Sequence, residues 1–144
     1  MKKDIRTEIE INASAETVWG ILSDFENFSA WNPFVTKVSG VPKEDETLQI
    51  EVQIPDSRLL KFTPLVLRAE PHKELRWVGT SPLGSFRGEH FYQIERISEN
   101  KVRFVHGEHF SGWAVGLIWF LEGKKIENGY QLMNEALKRE AEKK

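Results

Sequence analysis

His90, His106 and Glu108 are the residues of this chain whose types and spacing suit chemistry. Phe86, Gly88, His90, Tyr92 and Ile94 alternate along one segment; Val102, Phe104, His106, Glu108 and Phe110 alternate along the next. Side chains in a strand point to opposite sides with a period of two, so each set shares a face. If both faces turn inward, two imidazoles and a carboxylate stand where a filled core would hold apolar groups. That pattern points to a cavity. The short Ser98-Glu99-Asn100 turn makes the two strands antiparallel neighbours, with His90 across from Glu108 and Tyr92 across from His106. A carboxylate beside an imidazole raises its pKa, while burial lowers it. Such a pair suits a general base and its orienter, since histidine titrates near neutrality. The same residues also serve as hydrogen-bonding anchors for a ligand, or as a satisfied structural pair, because buried polar groups need partners.

A metal site is the weaker reading of this cluster. His90, His106, Glu108 and His109 supply ligand atoms, but His109 points to the other side of its strand, and the spacing matches no zinc motif. The chain has no cysteine, which excludes disulfides, thiolate catalysis and cysteine-ligated metals. Nor is there a glycine-rich phosphate loop, a nucleophile elbow or a dinucleotide fingerprint. No cofactor is expected.

These residues need a frame to hold them. Ile5, Thr7, Ile9 and Ile11 alternate as a half-buried strand over Asp4–Ile11. Ser14 and Thr17 open a helix carrying Val18, Trp19, Leu22 and Phe25, and a second short helix over Asp24–Ala30 stops ahead of Pro33. Strands are expected at Val35–Val41, Thr47–Ile54, Leu59–Glu70, Glu74–Gly79, Ser85–Ile97 and Lys101–Phe110, separated by turn residues. Pro64 lacks the amide of a central ladder, so a bulge or an edge is expected there. Asn32-Pro33 reads as a turn in which Asn32 bonds its own backbone.

From about Leu117 the period becomes helical, with Leu117, Phe120, Leu121, Gly129, Leu132, Met133, Ala136 and Leu137 as the inward stripe. Gly123 and Gly129 each weaken a helix by roughly 1 kcal/mol, which reads either as a loosened turn or as a need for space beneath it. The order is an α+β domain: a curved antiparallel sheet whose one face is covered by the long terminal helix, with room left at one end.

Several further side chains are candidates for the cavity wall. Of the five tryptophans, Trp19 suits the core, while Trp31, Trp77 and Trp113 are expected to line the pocket together with Phe86, His90, Tyr92, Phe104, His106, Glu108 and Met133. Arg58, Arg68, Arg76 and Arg87 are the cations that an acidic ligand would meet. Arg76 and Arg87 fall on the solvated face and Arg58 near a cavity mouth. His72 sits in a turn and is expected to be exposed. Leu83, in the Pro82–Phe86 loop, reads as a lid or a membrane-touching tip.

Length and charge exclude other classes. At 144 residues with a formal net charge of −2, the chain is expected to be one domain, residues 1–144, able to bury a core unaided. Lysines and arginines are scattered among glutamates, so no basic surface for nucleic acid is visible. The apolar run Ala114–Leu121 is too short to span a bilayer. The start Met1-Lys2-Lys3-Asp4 has no apolar run behind it, and a cytoplasmic location is expected.

The element order resembles the helix-grip fold of the START/Bet v 1-like superfamily, in particular its polyketide cyclase/dehydrase and lipid-transport (SRPBCC) branch. The residues that carry the resemblance are INASAETVWGILSDFENFSAWNPF, LRWVG, FRGEHFYQIE, VRFVHGEHFSG and YQLMNEALKREAEKK, from about Asp4 to Lys143. The resemblance implies two short helices after the first strand and a deep cavity between sheet and terminal helix. Across the superfamily that cavity takes lipids, sterols, polyketides, plant hormones or quinones. Three functions remain open on this basis. One is binding of a small hydrophobic molecule. A second is a cyclase- or aromatase-like reaction with His90 or His106 moving a proton and Glu108 orienting it. The third is an interaction or co-chaperone-like module with a vestigial cavity, using a protein partner. Either a monomer or a dimer fits.

Overall fold

The structure, a computed structural model, describes residues 1–143. Strand β1 (Lys2–Ile11) leads into helix α1 (Ala15–Leu22), a single tight turn (Phe25–Asn27) and the one-turn helix α2 (Phe28–Trp31). Strands β2 (Val35–Ser39), β3 (Gln49–Gln53), β4 (Leu59–Phe62), β5 (Leu65–Glu70), β6 (Glu74–Thr80), β7 (Arg87–Ser98) and β8 (Lys101–Ser111) follow, and helix α3 (Val115–Glu142) ends the fold.

Local chemistry sets these boundaries. The Ser14 side chain accepts a hydrogen bond from the Thr17 amide at 3.1 Å and starts α1. Asn32 stops α2: its Oδ1 accepts from the amides of Phe34 and Val35, each at 3.0 Å, and turns the chain through Pro33 into β2. What reads in sequence as a second helix is therefore a tight turn plus a single helical turn.

All strand pairs are antiparallel, in the orders β1-β8-β7-β6-β5 and β2-β3-β4. The expected strand Leu59–Glu70 is two strands in different sheets, a correction with a plain cause. Pro64 donates no amide; it sits in the break, where only its carbonyl is used, accepting from the Leu48 amide at 2.9 Å.

The 28-residue α3 crosses the concave face. Its buried side is Ile126, Gly129, Tyr130, Met133, Asn134, Leu137 and Ala141. Met133 and Leu137 are fully buried, and each apolar side chain of this size stabilises by about 2 kcal/mol on burial. Gly129 is bare because the Phe34 ring lies against the helix where a Cβ would be; close packing, not a loosened turn, accounts for it. Leu117, Phe120, Leu121 and Leu132, expected inside, are exposed. The first turns of α3 are apolar on two sides, so hydrophobicity alone leaves their rotation undetermined.

Candidate functional site: a cavity ending in a polar chain

Between β3–β4, β6–β8 and α3 lies a cavity of about 350 Å³, near the lower end of the roughly 300–1,000 Å³ usual for ligand pockets. The walls are mainly Phe34, Ile50, Val52, Leu60, Phe62, Trp77, Phe86, Phe110, Ile118 and Ile126. Arg58, Lys61, Ser81, Ser85 and Glu122 line it where it meets solvent. At the far end stand His90, Glu108 and Tyr130.

The hairpin brings the polar residues together with the register that the sequence implies: His90 opposite Glu108 and Tyr92 opposite His106. His90 Nδ1 lies 3.0 Å from Glu108 Oε1. The same oxygen accepts a hydrogen bond from the Tyr130 hydroxyl. Behind them, His90 Nε2 meets His106 Nε2 at 2.8 Å, and His106 Nδ1 meets Asn134 Oδ1 at 2.9 Å. Asn134 Nδ2 donates to Thr7 Oγ1 at 2.8 Å, and Thr7 Oγ1 donates to the His106 carbonyl at 2.8 Å. The chain runs from the cavity through two strands and the helix to β1.

Its direction is fixed by its outer end. Thr7 donates to a carbonyl, so toward Asn134 it accepts, and the Asn134 amide nitrogen must face it. Asn134 Oδ1 therefore accepts from His106 Nδ1–H. Burial, and secondarily the neighbouring His90, pushes the His106 pKa well below the usual value, against the opposing hydrogen bond from Asn134. A neutral His106 with its proton on Nδ1 presents a lone pair at Nε2, so His90 Nε2 carries a hydrogen. Glu108 Oε1 is left facing both His90 Nδ1 and the Tyr130 hydroxyl. Burial first, and then the Glu108 charge, pushes the Tyr130 hydroxyl pKa well up, so it stays a donor at neutral pH.

The second carboxylate oxygen, Glu108 Oε2, lies over Gly88, where a Cβ would collide with it. Gly88 lines the cavity too, so the missing side chain leaves room for the carboxylate at the cavity end. Rings brace the pair: Tyr130 stacks on His106 at 4.3 Å and on His90 at 5.3 Å, and Trp77 lies 5.5 Å from His90. Nearer solvent, Glu122 Oε1 accepts from Ser57 Oγ at 3.0 Å, while its buried Oε2 has no partner among the described residues.

Of the residues expected to line the pocket, Trp77, Phe86, His90 and Glu108 do so. Tyr92, Phe104, His106 and Met133 are fully buried behind the wall and belong to the core. The Tyr92 hydroxyl is buried without a partner. Trp31 packs against Phe28 on the outer side of the short helices. Trp113 is 71% exposed, because the positive φ of Gly112 turns the chain at the end of β8 away from the cavity. Among the four arginines only Arg58 reaches the cavity; Arg68, Arg76 and Arg87 pair with glutamates on the outer face. His72 is exposed, and His109 pairs with Asp4 at 2.9 Å. Tyr130 and Asn134 are site residues that the sequence analysis does not single out. The signal was the four-residue spacing of Ile118, Glu122, Ile126 and Tyr130, which traces the cavity side of α3. Among the described residues no cluster of three or more His, Asp or Glu side chains is placed to hold a metal, and no helix is long and apolar enough to cross a membrane.

A curved antiparallel sheet gripping a long terminal helix over an apolar cavity is the helix-grip fold, whose superfamily binds small molecules. Residues 2–142 match the family described as polyketide cyclase / dehydrase and lipid transport, and the chain belongs to that family. No curated protein sequence matches. Among solved structures it is similar to the ZhuI aromatase/cyclase from Streptomyces sp. R1128, at 13% identity and TM-score 0.80, covering 99% of this chain and 95% of that one. It is also similar to a START superfamily protein from Mycobacterium smegmatis, at 18% identity and TM-score 0.75, covering 97% of each. A norcoclaurine synthase from Thalictrum flavum aligns at 12% identity and TM-score 0.74, covering 99% of this chain and 96% of that one. At these identities the likeness is one of fold.

Proposed function

We propose that this chain binds a small, largely apolar molecule in the cavity and seats one polar group of it against Glu108. The observation that carries the reading is a carboxylate oxygen, Glu108 Oε2, at the inner end of a cavity whose walls are mainly aromatic and aliphatic. The pocket has the general make-up of a ligand site, apolar walls with a few placed polar groups. A ligand hydroxyl or N–H suits the free oxygen as an acceptor. The aromatic rings of Phe34, Trp77 and Phe86 favour a flat ring system, of polyketide, quinone or similar kind, over a flexible chain.

Native mass spectrometry of protein purified from its own host, followed by extraction, tests this directly. The expected result is a stoichiometric apolar compound, displaced by an anilinonaphthalene sulfonate dye. Glu108→Gln keeps the volume and removes the charge; binding of the released compound then weakens by roughly tenfold to a hundredfold. An empty protein that also fails to bind the dye sinks the reading.

One observation favours a second reading, acid–base catalysis. Glu108 lies between the His90 ring and the hydroxyl of Tyr130, which keeps its proton at neutral pH, an arrangement that suits removal of a proton next to a carbonyl. The proton passes from carbon to the carboxylate, and the electron pair onto the carbonyl oxygen. Deuterium uptake by an aryl ketone in deuterium oxide, lost in Glu108→Gln, supports it; binding of the ketone without exchange leaves a carrier.

A further inference from the structure

The outer face beside the cavity mouth carries a concentration of exposed apolar side chains that neither the cavity nor the core uses. Leu83 is 92% exposed, Phe120 86%, Trp113 71%, Leu117 64% and Leu121 59%. Leu117, Phe120 and Leu121 follow one side of α3, opposite the inward Ile118 and Glu122. These turns are therefore apolar on both sides, the pattern of a helix covered on both sides.

The tips are held firmly. Trp113 Nε1 donates to the Leu83 carbonyl at 3.0 Å, and the Ala114 amide donates to the Ser85 carbonyl at 2.9 Å. Leu83 holds a φ of 60°, a left-handed conformation uncommon for a side chain without a local hydrogen-bonding group. Two connections, between β6 and β7 and between β8 and α3, are thus fastened together with their apolar side chains outward.

The charges around this face are mostly positive. Between Ser111 and Asn128 the charged residues are Glu122, Lys124, Lys125 and Glu127; Glu122 lines the cavity, bonded to Ser57, Lys125 Nζ donates to the Asp56 carbonyl at 3.3 Å, and Glu127 is exposed one turn beyond Lys124. The Thr80–Phe86 segment has no charged residue. Lys2 pairs with Ser111 at the start of β1, and Lys3 Nζ lies 5.8 Å from the Trp119 ring. The Met1 sulfur packs over Gly116, bringing the amino terminus to the same face.

We propose that this face docks on the surface of an anionic lipid bilayer, with Leu83, Trp113, Leu117 and Phe120 entering the headgroup boundary and Lys2, Lys3, Lys124 and Lys125 meeting the lipid charge. Aromatic and leucine side chains ringed by lysines are the composition that binds such an interface. A second copy of the chain fits less well, because it brings two faces of mostly positive charge together. Ser85, Ala114 and Ile118 line both the cavity and the base of this face, so docking turns the mouth toward the lipid. The docking surface stands whether or not the cavity holds a ligand.

Sedimentation with phosphatidylcholine vesicles, with and without phosphatidylserine, tests the proposal. The full chain is expected to bind the mixed vesicles more tightly, with each of Lys2→Gln, Lys3→Gln and Lys124→Gln weakening binding about fivefold. Leu83→Ser with Phe120→Ser weakens it at least about tenfold at an unchanged unfolding midpoint, since both side chains are solvent-exposed. Brominated lipid quenches tryptophan fluorescence, and Trp113→Leu removes that quenching. Failure to bind either vesicle overturns the proposal, whether or not sedimentation velocity then finds a dimer dispersed by Phe120→Ser. Binding that the Leu83/Phe120 double variant leaves unchanged overturns it too, because only charge is then at work.

Discussion

His90 and His106 face each other nitrogen to nitrogen, Nε2 to Nε2 at 2.8 Å, inside the protein. The contact holds only if one ring donates and the other accepts, so the pair cannot be doubly charged without breaking it.

This contact has a pH signature. The His106 pKa is lowered on folding from an unfolded value of 6.5, so the unfolded chain takes up the proton first as pH falls. The contribution to stability is complete above 6.5 and is lost as pH drops below it, by about 1.4 kcal/mol per unit until the folded value is reached. Denaturant unfolding at neutral pH and about one unit below 6.5, where carboxylates stay ionised, should show the loss. His106→Gln is expected to be less stable throughout but to have a flatter pH dependence.

The two buried tyrosines should behave oppositely. Tyr130→Phe deletes the donor to Glu108 and is expected to cost about 1.5–3 kcal/mol, because a charge-assisted bond is lost. Tyr92→Phe removes a hydroxyl with no partner and is expected to be neutral or stabilising. Urea midpoints of the two variants, compared with the parent, check the contrast.

Gly88→Ala places a methyl group where Glu108 Oε2 lies. The carboxylate must move, loosening its contacts with His90 and Tyr130. A loss of about 1–3 kcal/mol is expected, along with reduced uptake of an anilinonaphthalene sulfonate dye. Chemical denaturation and dye titration measure the two effects separately.

Gly129→Ala is expected to destabilise even though alanine favours helices. The gain in propensity is about 1 kcal/mol, while the new Cβ meets the Phe34 ring, which is held beneath the helix by the Asn32 turn. Overpacking of this kind costs about 1–3 kcal/mol. Gly129→Ala combined with Phe34→Leu should recover part of the loss in thermal unfolding.

Much of this arrangement was legible in the sequence where a short turn or strict alternation fixed it. The short Ser98–Asn100 turn makes β7 and β8 neighbours and puts His90 near Glu108, but their exact register also depends on the shift between Arg96 and Ser98. The His90–His106 contact was not legible, because it depends on side-chain rotation and on Asn134 and Tyr130 arriving from α3. The inward side of the first turns of α3 was misread because apolar residues occupy both sides there. Trp113 looked like a wall residue by type, but the turn at Gly112 sends it outward. Pro64 was correctly singled out as a disruption of the strand pattern; that it divides two sheets depends on distant pairing.

That division at Pro64 separates two kinds of evolutionary change. The polar chain is anchored on β1, β7, β8 and α3, all on one side of the break, whereas Ile50, Val52, Leu60 and Phe62 form the opposite wall from the small sheet. Substitutions in the small sheet can therefore reshape the chamber for differently sized occupants while the proton-bearing end is inherited unchanged.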